Sequence, residues 1–420
     1  MLQLSAEDQE KLTGEHGPGV QMAMSILVRM AKVMNAERLL DIEAAHIDSA
    51  LFMGDATLEY AEKLAGLGAE VVVPTSLNVS GVDEHGWREW ATPPEWAEKA
   101  RRQMLAYQKM GCTPTWTCAP YQTEFRPAFG QQIAWGESNA IVFANSVLGA
   151  RTERYPDLLD ICAAVTGRAP AVGLHLKENR VGEILFRLQN IPEKILDDDT
   201  FYPVFGHLVG KFAPDSVPVI EGLNVKPSDD QLKAFGAATA CSGAVALFHI
   251  VGVTPEAPDS ATAFQDKAPR QTIVVTMKML REARDELTTG TDGALDMVVL
   301  GSPHFSFAEF QQLIPKIKNA KRHENVRFLV TTSRIMRELA GKAGFLTELE
   351  KFGGEVTVDT CILTTPMLPP EIKTIMTNSA KYAYYTPGLL NAQVVFGSLE
   401  DCVESAVKGR IIRDDSLWSE

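Results

Sequence analysis

The residues best suited to chemistry in this sequence are two of its six cysteines and the polar groups near them. Cys118 follows Pro114-Thr115-Trp116-Thr117, and Cys361 closes Asp359-Thr360-Cys361 after the apolar run Val356-Thr357-Val358. Both positions suit thiolates that project from strand ends into one cleft, and thiolate sulfur is the protein ligand of iron and iron–sulfur centres. No CxxC pair is present, so two ordinary buried thiols is the competing reading. Cys162 and Cys402 fall in amphipathic helical patterns and read as core, and the spacing leaves Cys112 and Cys241 open.

Four histidines, His46, His175, His249 and His304, follow or end apolar runs, where an imidazole can act as acid, base or orienter. His46, two residues before Asp48, and His304, in Gly301-Ser302-Pro303-His304, are the better candidates; His249 sits within a buried run and reads as structural. Glu137, Ser138 and Asn139 stand together at what reads as a helix N-terminus, which either receives a carboxylate or is merely capped by these side chains. His175, Asn179 and Arg180 lie in a dense polar stretch after an apolar run; Asn179 and Arg180 there can grip an acid group or simply form a solvated loop.

These residues need a scaffold, and the chain alternates strand-length apolar runs with helical patterns, the signature of an α/β protein with parallel sheets. Strands are expected at Leu39–Ile42, Val71–Val73, Ala171–Leu174, Ala244–Ile250, Met297–Leu300, Arg327–Val330, Val356–Val358 and Gln393–Phe396. The patterns Ser5…Asp8 and Ser228-Asp229-Asp230 mark helix starts. Ligands of open parallel sheets bind beyond the carboxyl ends of the strands. That rule selects Ala45-His46-Ile47-Asp48, Pro74-Thr75-Ser76-Leu77-Asn78, Thr117-Cys118, Gly301 to His304, Thr331 to Arg334 and Asp359-Thr360-Cys361. A chain of 420 residues is expected to divide, here into lobes 1–130, 131–285 and 286–420.

Composition excludes several classes. A formal charge of −14 with no basic patch argues against nucleic acid and acidic membranes as partners, and so against an iron-sensing RNA-binding protein. The longest near-continuous apolar run, Gly243 to Val253, is too short to span a bilayer. The N-terminus does not resemble a signal peptide and the cysteines do not form a disulfide framework, so a cytoplasmic protein is expected. GxGxxG after an early strand, GxxxxGK[ST] and GxSxG are all missing.

The runs Ala45-His46-Ile47-Asp48, Val73-Pro74-Thr75-Ser76-Leu77-Asn78, Thr117-Cys118-Ala119-Pro120-Tyr121 and Ile133 through Ala150 resemble the large portion of aconitase X, as do Gly173-Leu174-His175, Ser242 through His249, Gly301-Ser302-Pro303-His304 and Asp359-Thr360-Cys361. The resemblance implies an aconitase-like body of several doubly wound parallel-sheet lobes around a central cleft. It also implies an iron–sulfur cluster, with a two-iron two-sulfur form among the options, or mononuclear iron. Its ligands would be Cys118, Cys361 and, where the archaeal type carries cysteines in the 301–306 segment and this sequence does not, Cys241. It implies a dehydratase of small hydroxy acids, more like the bacterial type that acts on cis-3-hydroxy-L-proline than the archaeal type that acts on 5-phosphomevalonate. For the latter, Arg126, Arg151 and Arg180 are the residues available to build a basic pocket. The catalytic serine belongs in this family to a swivelling domain, expected here on a separate small subunit. The resemblance further gives His46, His304 and Glu137 catalytic work, and Thr75, Ser76, Asn78, Ser138, Asn139, His175, Asn179 and Arg180 substrate contacts.

Overall fold

The computed structural model describes residues 2–290 and 293–419. Its fourteen strands form three parallel sheets and one short antiparallel ribbon. The first lobe contains β1 (Leu39–Asp41), β2 (Ala44–Ile47), β3 (Thr75–Leu77), β4 (Ile133–Trp135) and β5 (Arg168–Pro170). The second contains β6 (Ile184–Leu188), β7 (Pro218–Glu221), β8 (His249–Ile250) and β9 (Gln271–Val275). The third contains β10 (Met297–Phe305), β11 (Arg327–Thr332), β12 (Glu355–Thr357), β13 (Thr374–Thr377) and β14 (Gln393–Phe396). The mixed α/β architecture with several parallel sheets is the one expected from the sequence.

Strand order decides where a ligand can sit. The sheets run β3-β2-β4, β8-β7-β6-β9 and β12-β11-β10-β13-β14, and β1 pairs with β5. In each parallel sheet the chain starts in the interior, winds outward to one side, and then crosses to the other side of its first strand. Adjacent loops therefore leave in opposite directions at β2/β4, β6/β9 and β10/β13, opening a crevice at the carboxyl ends of those pairs. In the first sheet that crevice is bordered by Asp48 and Glu137, and in the third by His304 and the start of the helix Ala380–Leu389.

Several elements differ from expectation for local reasons. Strand β4 pairs with β2, placing Ile133–Trp135 in the first sheet and not beyond a boundary at 130. Val71–Val73 form no strand: the Val71 and Val72 amides donate to the carbonyls of Met110 and Ala164, and pairing begins only after Pro74. Of Ala244–Ile250 only His249–Ile250 enter a sheet. Ala244, at φ 56°, ends the helix Asp229–Gly243, the Ala246 carbonyl accepts from Asn145, and the Phe248 amide donates to Ser146. Side chains thus satisfy backbone groups that a ladder would otherwise pair. Ala171–Leu174 follow β5 instead of forming a strand, and Gly173–His175 make a 3-10 turn. The segment Gly301–His304 continues β10, with a register shift between Leu300 and Phe305. Gly301, at φ 98°, permits that shift, since a Cβ there would stand 2.1 Å from the Thr331 carbonyl oxygen. The capping boxes of Ser5/Asp8 and Ser228/Gln231 begin their helices where the sequence places them.

Candidate functional site

The crevice of the first sheet is built on carboxylates at the ends of β2 and β4. Glu137 is the N-cap of the helix Ser138–Phe143: its Oε2 accepts from the Ala140 amide at 2.8 Å and from the Asn139 side chain, and the Ser138 hydroxyl donates to Oε1 at 3.3 Å. From the third lobe, Lys381 in the first turn of Ala380–Leu389 brings Nζ to 2.5 Å from Oε1. Burial pushes the Glu137 carboxyl up, but the Lys381 ammonium and the helix-cap hydrogen bonds outweigh it and hold the acid below its usual range. Burial works against Lys381 as well; Glu137, then Cys241 and Cys118, hold its charge in place.

Across the crevice Asp48 accepts from the Asn78 amide group. Burial, then the charges of Glu137, Asp157 and Asp160, push its carboxyl up to about 8, so it keeps its proton at neutral pH. Gly136 makes this arrangement fit: a Cβ there would lie 2.7 Å from Asp48 Cβ and 2.8 Å from an Asp160 carboxylate oxygen. His46 is fully buried, with Nδ1 2.8 Å from the Ser76 hydroxyl. Burial holds His46 down to about 3 against the raising effect of Glu137, so its ring is neutral. Its Nε2 and the Asn78 Oδ1 are buried with no hydrogen-bond partner. Native interiors rarely tolerate such atoms unless water or a ligand serves them.

The cysteines divide in two. Cys118, Cys241 and Cys361 are half-buried; Cys112, Cys162 and Cys402 are closed off, and none of the six is in a disulfide. The half-buried three come from different lobes, and the charges of Lys381 and Glu137 act on each of them. Burial pushes the Cys118 thiol up to about 12 and Cys241 up to about 11. His304 supports Cys118: its amide donates to Sγ at 3.2 Å, while its ring joins the Thr117 hydroxyl and the Thr360 carbonyl, both at 3.1 Å. Burial keeps that ring neutral, down to about 4. Among the described residues, no three His, Cys, Asp or Glu side chains stand close enough to hold a metal ion as a set.

Other expected contacts fall elsewhere. Thr75 is buried and donates to the Val73 carbonyl at 2.8 Å. His175 is held between the Tyr155 hydroxyl and Gln132 Oε1, burial keeping it down to about 3. Asn179 closes a turn onto the Gly173 carbonyl. The buried Arg180 commits Nε to Glu256, Nη1 to Asn145 Oδ1 and the Leu174 carbonyl, and Nη2 to the Asn145 carbonyl and Glu256. His175 and Arg180 therefore tie loops together, with their ring nitrogens and guanidinium committed to protein partners, and Asn179 lies exposed on the same turn. Lys381 was missed because β13, the strand that precedes it, was not read. Had it been, the strand-end rule would have selected Asn378 to Lys381.

Similarity fits this geometry. Residues 1–178, 182–285 and 295–408 match the aconitase X first, second and third domains respectively. The chain belongs to the aconitase X family. It is 47% identical over 410 residues to a cis-3-hydroxy-L-proline dehydratase of Pseudomonas aeruginosa, covering 97% of this chain and 70% of that protein. With a phosphomevalonate dehydratase large subunit of Methanocaldococcus jannaschii it shares 34% identity, covering 96% of this chain and 99% of the relative. The crystal structure of Thermococcus kodakaraensis aconitase X in its holo-form superposes with a TM-score of 0.86 at 32% identity, over 96% of this chain and 100% of that one. In this chain the segments matched to the family's first and third domains supply the ion pair Glu137–Lys381, and the second supplies Cys241.

Proposed function

We propose that this chain is the large catalytic part of a dehydratase that removes water from cis-3-hydroxy-L-proline, giving Δ1-pyrroline-2-carboxylate. The observation that carries the reading is the near full-length match to the Pseudomonas aeruginosa dehydratase. Two of the three arginines available for a phosphate pocket are already committed, Arg126 to Asp229 and Arg180 to Glu256, which weighs against 5-phosphomevalonate.

Cys118, Cys241 and Cys361 are half-buried thiols of the kind that ligates iron; burial raises all three against the lowering effect of the Lys381 ammonium, and they are not gathered as a metal-holding set. Bound there, iron would supply a Lewis acid that eases departure of the C3 hydroxyl. The chain's own groups prepare the rest. Neutral His46, its Nδ1 fixed by Ser76 and its Nε2 unpartnered, accepts or relays a proton. Asp48 holds a proton that it can donate near neutral pH. Glu137, Ser138 and Asn139 position the substrate at the helix start. His304 acts through Cys118 and the Thr360 backbone, as a positioning residue. Loss of the C3 hydroxyl and the C2 proton leaves an enamine, which tautomerises to the imine product.

The base that takes the C2 proton is assigned to a serine on a smaller swivelling subunit. That partner is supported by the name large subunit borne by the Methanocaldococcus jannaschii relative. No helix among the described residues is long and apolar enough to cross a membrane, and unbridged thiols suit a reducing cytoplasm.

The test is to purify the chain anaerobically with its small subunit, follow loss of cis-3-hydroxy-L-proline and of 5-phosphomevalonate in parallel, and assay iron in the same sample. Turnover of the hydroxyproline alone is expected, and turnover of only the phosphorylated acid overturns the substrate. Cys118→Ser or Cys361→Ser lowers iron per chain to background; retention of iron by both variants rejects the thiolate site.

A further inference from the structure

The buried carboxylate of Asp160 grips the turn that carries Asp48. Its Oδ1 accepts from the Ser49 hydroxyl at 2.6 Å and from Ile161 N at 2.7 Å, and its Oδ2 accepts from the Ser49 amide at 3.0 Å. Ser49 directly follows Asp48, and the Tyr107 hydroxyl and the Gln103 side chain hold its carbonyl at 2.8 and 3.2 Å. The two acids are also close in space: the point where a Gly136 Cβ would lie is 2.7 Å from Asp48 Cβ and 2.8 Å from Asp160 Oδ2. Any side chain at 136 would collide with both. The chain accepts strain to bring Asp160 there, because Leu158, just before the helix Leu159–Thr166, is left-handed at φ 74°, a conformation leucine rarely adopts. Asp160 is closed off at 1% exposure, whereas Asp48 is half-buried at the crevice.

Two carboxyl groups this close do not readily ionise together, and a pair of them shares a proton. The member that accepts hydrogen bonds on both oxygens is the better place for the charge, and that is Asp160. The other groups facing Asp48 favour a proton on it: Glu137, though paired with Lys381, and Asp157 are acids, and only the bond from Asn78 opposes them. The charge of Asp160 reaches Tyr60, Tyr107, Cys112 and Cys162, all kept neutral by burial. Burial, against the Ser49 and Ile161 hydrogen bonds, brings Asp160 up to about 6, below the value of about 8 for Asp48. We propose that Asp160 is a positioning residue for the dehydration: it fixes the Asp48 turn through Ser49 and, as the ionised half of a one-proton pair, keeps the proton on the carboxyl that faces the cleft. From there the proton passes to the C3 oxygen as the C–O bond breaks, and the oxygen leaves as water with the bonding electron pair. The donor role of Asp48 rests on the dehydratase reading above, but the pairing rests on the hydrogen bonds and the Gly136 contact.

Infrared difference spectra of the protein with its partner subunit test it, because the parent minus Asp48→Asn isolates the Asp48 carboxylic acid band. The band is expected at neutral pH and is lost as pH rises through about 8. Asp160→Asn keeps the shape of the side chain and removes its charge. In that background, again read against Asp48→Asn, the band is expected to be lost about one pH unit or more lower, the scale on which a neighbouring charge moves a carboxyl. The alkaline limb of kcat/KM for cis-3-hydroxy-L-proline moves down with it. A role confined to the fold lowers the melting temperature of Asp160→Asn and leaves the midpoint of the band in place. A band that is missing at neutral pH, or one that keeps its midpoint in Asp160→Asn, overturns the proposal. Should Asp160→Asn fail to fold, the unmutated protein decides it: the Asp48 band shifts in frequency near pH 6 as Asp160 takes up a proton, and a band indifferent there overturns the pairing. If the band behaves as expected but cis-3-hydroxy-L-proline is not turned over, the pair stands and the dehydratase reading fails.

Discussion

Two shielded cations separate structure from function in this protein. Arg180, in the loops that join the first two lobes, has acceptors for all three of its nitrogens. Lys381, across the cleft, has one close acid, Glu137, and three thiols in reach of its charge. Both are shielded and both have carboxylate partners, so neither burial nor an ion pair tells them apart. Unused hydrogen-bonding capacity beside reactive groups does. A saturated cation fixes the chain, and an unsaturated one can engage something that arrives.

The contrast is sharpened by exchanging the two effects. Arg180→Met leaves Glu256 without its cation and Asn145 without the two hydrogen bonds it accepts from the guanidinium, which costs about 3–5 kcal/mol, the range for breaking a buried pair. Turnover per folded molecule is expected to be unchanged, and a variant that melts normally but does not turn over breaks the distinction. Lys381→Met is expected to do the opposite. It lowers kcat/KM by about 100-fold, or about 2.7 kcal/mol of transition-state stabilisation. It destabilises less than Arg180→Met, because Ala140, Asn139 and Ser138 still satisfy Glu137.

The smallest effect is in pH dependence. Asp48 has a folded-state pKa raised from 3.8 to about 8, so between those values the folded protein holds a proton that the unfolded chain has released. Stability then falls as pH rises through that window and levels off above it. Asp48→Asn removes this dependence, so melting curves of the parent and the variant should diverge between pH 5 and pH 8, with the parent losing ground. Parallel curves would show that Asp48 is ionised in the folded state.

How much of this could be read from sequence depends on where each residue sits. His46 and His304 follow or end apolar runs long enough to be recognised, and the strand-end rule led to them and to Cys118, whereas Glu137 stood out at a helix start. Cys241 lies near the end of a helix, where that rule has no purchase, and only the family resemblance singled it out. Lys381 escaped because β13 is four residues long and follows a proline-rich loop, Leu368-Pro369-Pro370, that hides its periodicity. Arg180 departs from expectation for a related reason: the sequence pattern places its polar cluster after a strand, but Ala171–Leu174 leads into a turn, and folding closes the guanidinium over Glu256.

The partners Glu137 and Lys381 are 244 residues apart in the chain. At a synthesis rate of roughly 5–20 residues per second, Glu137 leaves the ribosome on the order of 10–50 s before the lysine that will balance it. During that interval the first lobe carries its acids and Cys118, but neither Lys381 nor Cys361 has been made. The ion pair that joins the first and third lobes therefore cannot form until translation has reached the helix Ala380–Leu389.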